Sequence, residues 1–383
     1  QLLVGVGLWV SRTKKGHTKT AEDYFLASKA LPWWAIGSSL IAANISAEQF
    51  IGMSGSGFAG GLAIASYEFM AALTLIIVGK FFLPIFIKQG IYTIPEFVEK
   101  RFSTNLKTIL AVFWIALFVF VNLTSVLFLG GKAIDTIVGV GDGSMIVPAI
   151  IALAIFAAAY SLYGGLSAVA WTDVIQVALL VIGGIITTLI ALHYVTPDGG
   201  ILNGISHIAD AASDKFDMVL SRDNKEFNNL PGIYVLIGGL WVANLYYWGF
   251  NQYIIQRTLA AKSLTEAQRG IAFAAFLKML IPFIVVIPGI VAWVMYSEDL
   301  YGARSAFEIA GSTALNNDNA YPWLISTFIP VGVKGLVLAA LAAAIVSSLA
   351  SMLNSTSTIF TMDIYKPYIN REACLLYTSP SPR

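Results

Sequence analysis

Four polar side chains lie deep within apolar stretches of the sequence: Gln49, Glu68, Asn244 and Lys278. An ionisable group at membrane depth costs at least about 2.5–3.5 kcal/mol, so such groups must face the protein interior or water. A carboxylate, an ammonium and two amides offer hydrogen-bond donors and acceptors that suit a polyhydroxylated neutral solute. The alternative is structural, because amide side chains also join membrane helices by hydrogen bonds.

A second group of residues is rich in oxygen and carries no charge. In the run LAALAAAIVSSLASMLNS, the carbonyl of Ala344 points toward the hydroxyls of Ser347 and Ser348, three and four residues further along a helix. Unwinding near Ile45 would free the carbonyls of Ala42 and Ile45 to complete the cluster. Hard cations take oxygen ligands, and a site without carboxylates suits a monovalent ion. The pattern leaves open that the serines only bond back to carbonyls of their own helix.

Three further residues near these groups have side chains that can act in recognition or gating. Tyr247 lies one helical turn from Asn244 and could stack on the apolar face of a sugar ring. Asp173 is expected to open a helix at its cytoplasmic end, where capping explains it as well as ion release does. Arg257 is expected to be an anchor that reaches toward the membrane surface.

Eight apolar stretches are long enough to cross a bilayer, which takes about 20 residues. They are 33–58, 62–87, 106–134, 145–163, 169–192, 232–255, 270–296 and 332–362. Only 12% of residues are charged and the mean hydropathy is +0.75, whereas soluble domains carry about 25% charged residues. A net charge of +1 without a basic block gives no reason to expect nucleic acid as a partner. The single cysteine, Cys374, excludes an internal disulfide.

Two of these stretches, within 31–58 and 232–257, are interrupted by polar and small residues. Unwound backbone survives in hydrocarbon only where it is buried in protein or lines a cavity. Five crossings precede the second interrupted stretch, so we expect an all-α polytopic membrane protein with an inverted five-plus-five helix repeat. The expected divisions are a partial membrane helix (1–10), a loop (11–32), the first repeat (33–192), a connecting loop (193–231), the first three helices of a truncated second repeat (232–371) and a tail resembling adapter-encoded sequence (372–383).

Lysine and arginine are concentrated in alternate connections of the chain. Because positive residues mark the cytoplasmic side, we expect the loops at 11–32, 88–107 and 256–269 and the C-terminal end to be cytoplasmic. The connection at 193–231 is richer in acidic residues and is expected to be external. These features predict a multi-pass protein of the plasma (inner) membrane.

The runs SLIAANISAEQFIGMSGSG, YTIPEFVEKRF, YGGLSAVAWTDVIQV, LIGGLWVANLYYWGFNQYIIQRTLAAKS and ALAAAIVSSLASMLNST carry a resemblance that covers nearly all of 5–368. They resemble bacterial sodium/galactose (sodium/glucose-type) symporters of the sodium/solute symporter family. The resemblance implies a LeuT-like fold, sodium-coupled import of a neutral galactose- or glucose-like sugar, Na⁺ as the coupling ion and no enzymatic activity. The implied partners are sodium, the sugar and the lipid bilayer, and the oligomeric state is not determined.

The resemblance also implies a role for individual residues. The sugar is held by Gln49, Glu68, Asn244 and Lys278. Tyr247 forms an inner gate, and Met53 and Tyr67 contribute to an outer hydrophobic lid. Sodium lies where Ala42, Ile45, Ala344, Ser347 and Ser348 meet, and Asp173 lies on the path of ion release.

The sequence departs from the family pattern at two points. A serine expected three residues after Glu68 is Ala71, which leaves the hexose preference open. A further sugar-contacting glutamine belongs to a later helix that this sequence lacks, so the chain alone is expected to bind sugar poorly.

Two other functions stay open. The same fold could carry another small solute, such as inositol or an amino acid, because fold does not fix function. Glu68 argues for a neutral solute, since a substrate carboxylate would be expected to meet a bare helix N-terminus. A sensory membrane module attached to a signalling domain is the second. An enzyme is not expected, because the spans show no nucleophile–base pair or catalytic set of metal ligands.

Overall fold

The computed structural model describes residues 20–45, 48–138, 143–196, 198–230, 232–309 and 312–371. The predicted partial helix (1–10), residues 11–19 of the loop at 11–32 and the tail (372–383) lie outside these residues. Within the described ranges the chain is helical and forms no β-strand beyond two isolated bridges. The α-helices are, in chain order, α1 (Ala21–Phe25), α2 (Trp33–Asn44), α3 (Met53–Gly60), α4 (Ser66–Ile77), α5 (Leu83–Gln89), α6 (Ile94–Arg101), α7 (Thr104–Leu117), α8 (Thr124–Val138), α9 (Ile146–Tyr194), α10 (Ile201–Ala211), α11 (Ile233–Ile237), α12 (Gly239–Leu245), α13 (Gln252–Leu259), α14 (Leu264–Ile281), α15 (Ile287–Ser297), α16 (Ala303–Phe307), α17 (Ala320–Phe328) and α18 (Val331–Ile359).

Shorter helical turns connect or extend these helices. Wide π-helical turns occur at Glu48–Gly52, Val78–Phe82, Phe118–Leu123, Tyr246–Phe250, Pro282–Val286 and Phe360–Ile369. Tighter 3₁₀ turns occur at Ala27–Lys29, Gly61–Ala65, Ser213–Phe216, Leu300–Gly302 and Asn317–Asn319. Wide turns interrupt the regular helix and are frequent at functional sites.

Within the residues that the structure describes, five continuous helical runs are long and apolar enough to cross a membrane. They are Gln49–Gln89, Thr104–Lys132, Gly165–Tyr194, Leu264–Ser297 and Ala342–Ile369. The run Thr104–Lys132 turns most of its side chains outward, including the exposed residues Phe113 and Phe120. An outward-facing apolar surface of this length suits lipid, because hydrocarbon does not penalise exposed apolar side chains.

Both interrupted stretches contain a break between two half-helices. Ile45 is extended (φ −77°, ψ 109°) and ends α2, and the helix resumes at Glu48–Gly52. Asn251 is likewise extended (φ −80°, ψ 121°) and separates the Tyr246–Phe250 turn from α13. The second stretch also bends at Gly238 (φ −102°, ψ −118°). Backbone groups at such breaks are available to side chains or ligands.

Two predicted segments can be compared directly with the structure. The stretches 145–163 and 169–192 lie in α9, and Gly165 (φ 57°, ψ −159°) is non-helical and divides this element into two helices, as the sequence predicts. The 193–231 connection, expected as a loop, contains the amphipathic helix α10. The bend at position 165 needs glycine because a left-handed φ is strained for any residue with a Cβ atom.

The first broken helix packs unusually closely on the α14–α15 run. A Cβ atom added to Gly37 of α2 would lie 2.6 Å from the carbonyl oxygen of Gly270, and one added to Gly289 of α15 would lie 2.2 Å from that of Ser54. Small residues of this kind allow membrane helices to approach backbone to backbone. Both half-helices, α2 and α3, therefore touch the same partner.

Candidate functional site

Three of the four polar residues expected at membrane depth form one cluster, in which Glu68 and Lys278 are buried and Gln49 is half-buried. Glu68 lies in the first turn of α4, Lys278 near the end of α14, and Gln49 in the wide turn that follows the Ile45 break. Oε1 of Glu68 accepts a hydrogen bond from Nε2 of Gln49 at 2.7 Å, and Oε2 accepts one from Nζ of Lys278 at 2.5 Å. Glu68 is 3% exposed and Lys278 1%. The cluster is neutral overall, with each carboxylate oxygen hydrogen-bonded, as a buried ion pair requires.

Aromatic and sulfur groups flank this cluster. Nζ of Lys278 lies 5.3 Å from the ring centroid of Trp248, a distance at which a cation is attracted to the ring face. Nε2 of Gln49 lies 3.3 Å from Sδ of Met53, the first residue of α3. Tyr67, which precedes Glu68, is 37% exposed. The cluster is thus bordered by the residues expected to form a lid.

Asn244, the fourth expected residue, is directed differently. Its Nδ2 atom donates to the carbonyl of Leu240 on the same helix at 3.0 Å. That contact lies within one helix, so it is neither a contact to the cluster nor the helix-to-helix bond considered as the alternative. Helix α12, which carries Asn244, nevertheless packs against α4, which carries Glu68. Ala71 is buried one turn beyond Glu68, where it presents a methyl group.

A polar cavity of about 300 Å³ extends from Gln49. This volume is at the lower end of the range for small-molecule sites. Nδ2 of Asn44 donates to Oη of Tyr247 at 3.0 Å, and that oxygen lies 2.7 Å from Oη of Tyr253. Oδ1 of Asn44 is buried and has no hydrogen-bond partner within the described part of the protein. The cavity is lined by Ala43, Asn44, Gln49, Val121, Asn122, Ser125, Val126, Tyr247, Tyr253, Ser348 and Met352.

Sequence reasoning missed Asn44, Asn122 and Tyr253 among these lining residues. Asn44 immediately precedes the break, and Asn122 lies in the wide turn Phe118–Leu123. A polar side chain next to an interruption in an apolar helix is the signal that points to such residues.

The oxygen-rich cluster lies at the contact between α2 and α18. The side chains or backbone of its five expected members, Ala42, Ile45, Ala344, Ser347 and Ser348, are all buried. Oγ of Ser348 donates to the carbonyl of Ala43 at 3.2 Å, which joins the two helices. Because Ile45 is extended, α2 ends there and its last carbonyls lie at a helix terminus. Neutral oxygens are suitable ligands for a hard monovalent cation, and a sodium site at these five residues stays a prediction.

Asp173 does not lie at a helix end and Arg257 does not lie at the membrane surface, so these two predicted placements are wrong, while the predicted role of Asp173 in ion release is a separate prediction. Asp173 does not open a helix, because the helix resumes directly after Gly165 and Asp173 lies eight residues beyond that glycine. Arg257 does not reach toward the membrane surface, because α13 packs inside the bundle. Nη2 of Arg257 lies 3.5 Å from Oδ2 of Asp173, and both side chains are at most 1% exposed.

Several serines surround this ion pair. Oγ of Ser39 donates to Oδ2 of Asp173 at 2.5 Å and accepts from Nε of Arg257 at 2.6 Å. The hydroxyl of Ser347 donates to the other carboxylate oxygen, and a guanidinium nitrogen donates to Ser351. Ser347 therefore links the oxygen-rich cluster directly to Asp173.

Comparison with known proteins shows close similarity to sodium-coupled transporters. Residues 24–374 match the model of the Sodium:solute symporter family. The chain is 66% identical over 97% of its length to a sodium/glucose cotransporter of Vibrio parahaemolyticus, of which it covers 68%. It is 35% identical over 95% of its length to the sodium/myo-inositol cotransporter 2 of Bos taurus, of which it covers 54%. The chain thus spans about two thirds of the first relative and about half of the second.

A solved structure shows the same fold. It is the substrate-bound outward-open state of a Na⁺-coupled sialic acid symporter, with a TM-score of 0.79 and 28% sequence identity over 96% of this chain and 73% of that chain. This likeness confirms the predicted all-α, polytopic, LeuT-like fold.

Proposed function

The chain belongs to the sodium:solute symporter family, and from this premise we propose that it imports a small neutral sugar, similar to galactose or glucose, together with sodium by alternating access. Family membership confirms the resemblance read from the sequence, and the relatives are transporters rather than enzymes. The observation that carries the proposal is the cluster of Gln49, Glu68 and Lys278 beside a polar cavity.

The cluster offers what sugar hydroxyls need. The Glu68 carboxylate accepts hydrogen bonds, and Lys278 and Gln49 donate them, so hydroxyl groups can exchange with contacts that these residues make to one another. The charges of Glu68 and Lys278 cancel, which favours a solute without net charge. The ring of Trp248 lies against the ammonium and adds an apolar face. Asn244 would join the site by releasing the carbonyl of Leu240.

Sodium would be held at the contact between α2 and α18. The proposed ligands are the carbonyls of Ala42, Ile45 and Ala344 and the hydroxyls of Ser347 and Ser348. Because the α2 carbonyls come from a break, bound sodium would fix the position of Gln49, which follows a few residues later. Sodium binding would thereby favour the arrangement that binds sugar.

The gates are proposed on the two sides of the sugar cluster. Met53 and Tyr67 would cover it on the outside. Tyr247 would cover it on the inside, where its hydroxyl group is held by Asn44 and lies beside Tyr253. Asp173 would receive sodium on its way out, since Ser347 contacts both the sodium cluster and this carboxylate.

The membrane potential supplies the driving force. One charge crossing about 100 mV contributes about 2.3 kcal/mol, enough for more than tenfold accumulation of sugar per sodium ion. Coupling requires that the empty or half-loaded protein does not change its orientation freely. The buried ion pairs Glu68–Lys278 and Asp173–Arg257 are suited to restrain such changes.

The apolar helical runs and the family make the chain a membrane protein. We propose that it lies in the plasma (inner) membrane with the connections at 88–107 and 256–269 cytoplasmic and the 193–231 connection external, as the lysine and arginine distribution indicates. Residues 33–192 would form the first repeat and residues 232–371 the first helices of the second.

Uptake of radiolabelled galactose and glucose into proteoliposomes tests the proposal, with the protein expressed from its complete gene. We expect uptake with an inward sodium gradient and none with an equal potassium gradient. A matched preparation with Lys278→Met should be inactive. Equal sugar uptake in sodium and potassium would refute sodium coupling.

A polyol such as inositol is the second candidate solute. A relative with 35% identity is named for myo-inositol, and Ala71 removes a hydroxyl group that the family pattern places near the sugar. Competition of labelled galactose uptake by glucose, myo-inositol and neutral amino acids separates the candidates. Strong competition by inositol and weak competition by glucose would reassign the substrate.

A further inference from the structure

One lysine of the 193–231 connection is bound to the end of the first broken helix. Nζ of Lys215 donates to the carbonyl of Phe58 at 3.2 Å and to that of Ala59 at 2.5 Å. The same atom lies 4.7 Å from the ring centroid of Trp293 on α15. Lys215 belongs to the Ser213–Phe216 turn and is half-buried. A single ammonium thus joins the connection to both α3 and α15.

The carbonyls that Lys215 contacts belong to the last turn of α3. The last carbonyls of a helix have no partner within the helix, and they carry the negative end of its dipole. A lysine at this place satisfies two of them and opposes the dipole. Burial lowers the pKa of the Lys215 ammonium, whereas the neighbouring Asp214 and Glu226 act in the opposite direction. The ammonium is therefore held among carboxylates and carbonyls.

The backbone of the connection also packs directly on the turn after α3. Gly61 has φ +74°, and a Cβ atom there would lie 2.2 Å from the carbonyl oxygen of Lys215. Next to this contact, Ala63 packs in a small apolar cluster with Leu220 and Leu230. The 213–230 segment thus covers the turn, and only glycine at position 61 allows so close an approach.

The covered turn connects two parts of the candidate sugar site. Before it lies α3, which begins at Met53, and after it lies α4, which carries Tyr67 and Glu68. A movement of the turn would change the distance between the proposed lid and the carboxylate.

We propose that Lys215 is a positioning residue of the transport cycle, whose ammonium ties the 213–230 segment over the α3–α4 turn and so keeps the outer side of the sugar site closed. The effect of Lys215 on transport rests on the proposed function. The tie, by which we mean the hydrogen bonds from the Lys215 ammonium to the carbonyls of Phe58 and Ala59, is observed in the structure. Opening toward the exterior requires the ammonium to leave the carbonyls of Phe58 and Ala59.

Thiol labelling measures how well the 213–230 segment covers the α3–α4 turn, and it needs no substrate. In a Cys374→Ser background, Ala63→Cys places a thiol beneath the 213–230 segment, and an impermeant thiol reagent is added from outside to proteoliposomes. Lys215→Met, which keeps the apolar stem, should label about fivefold faster, because loss of a cation at a helix C-terminus shifts the equilibrium toward the uncovered turn by up to about this factor. Lys225→Met is the matched control, because Lys225 is an exposed lysine of the same connection, and it should label at the parent rate. Equal rates for both variants would overturn the proposal.

Two further variants distinguish loss of the ammonium from misfolding of the protein. Lys215→Arg retains a cation and donors and should restore the parent labelling rate, whereas Lys215→Gln, a neutral donor, should be intermediate. Equal labelling of the arginine and glutamine variants would also overturn the proposal.

Sugar uptake by the same preparations tests the consequence separately. Lys215→Met should change the half-saturating external sugar concentration several-fold, and Lys215→Arg should restore it, whereas a residue needed only for folding would alter the amount of active protein. If the parent protein takes up no sugar while Lys215→Met still labels faster, the proposed function fails and the tie stands.

Discussion

Arg257 and Asp173 meet inside the protein, with Nη2 of the arginine 3.5 Å from Oδ2 of the aspartate. The other carboxylate oxygen of Asp173 accepts a hydrogen bond from Ser347, a proposed sodium ligand. The guanidinium is held in turn by Ser39 and Ser351. A buried ion pair therefore adjoins the proposed sodium site, and its two halves come from different helices, α9 and α13.

Removal of Arg257 alone should destabilise the fold. Arg257→Met leaves the buried Asp173 carboxylate unpaired, which typically costs about 3–5 kcal/mol. Thermal unfolding in detergent should show a clearly lower midpoint, and the double variant Asp173→Asn/Arg257→Met should recover part of the loss. Arg269→Met is the control, since the side chain of Arg269 is 65% exposed and surface pairs contribute at most about 1 kcal/mol. Equal midpoints for Arg257→Met and Arg269→Met would contradict the buried pairing.

Lys278→Met should abolish sodium-dependent sugar uptake. The substitution removes a donor and leaves Glu68 charged in a buried site. This costs about 2–5 kcal/mol, so the rate of sugar uptake should fall at least about thirtyfold. The double variant Glu68→Gln/Lys278→Met should regain thermal stability but not uptake, which separates folding from recognition. Lys262→Met, at an exposed lysine, serves as the control. Normal uptake by Lys278→Met would remove Lys278 from the sugar site.

Ser348→Ala should weaken sodium binding selectively. If one hydroxyl ligand contributes about 1.4 kcal/mol to the free energy of sodium binding, its loss raises the half-saturating sodium concentration for uptake about tenfold. Thr356→Ala on the same helix is the control, because its hydroxyl group donates to the carbonyl of Met352 within that helix at 2.7 Å. If both variants show the same sodium dependence, Ser348 is not a sodium ligand.

Tyr247→Phe should ease release toward the inside. The substitution removes the hydroxyl group that accepts from Asn44, a hydrogen bond of about 1 kcal/mol, so exchange of labelled sugar across the membrane should quicken about fivefold. Tyr246→Phe provides the comparison, since the Tyr246 ring stacks on Trp114 at a centroid distance of 5.4 Å. Slower exchange in Tyr247→Phe than in Tyr246→Phe would argue against a gate at this residue.

The sequence was sufficient for features with a local signature. The break at Ile45 and the burial of Glu68 and Lys278 follow from polar or small residues in apolar runs, because lipid penalises both exposed charge and open backbone. The sequence placed Glu68 and Lys278 in the same candidate site, but it did not predict that they form an ion pair across 210 residues of sequence.

Features that depend on packing between distant segments were not accessible in this way. Arg257 was assigned to the membrane surface because it follows an apolar run, and only the docking of α13 between other helices buries it. Asp173 was assigned to a helix end because the Gly165 bend has the composition of a loop. Lys215 gave no signal at all, since its contacts to Phe58 and Ala59 span more than 150 residues.

The glycine contacts that join the first broken helix to the α14–α15 run restrict how the molecule can move. The backbones meet at Gly37 and Gly270 on one half and at Ser54 and Gly289 on the other, so a Cβ atom at Gly37 or Gly289 would force the two helices apart. Gln49 and Lys278 lie between these two contacts along their segments, so we expect the amide and the ammonium to move together when access to the site changes.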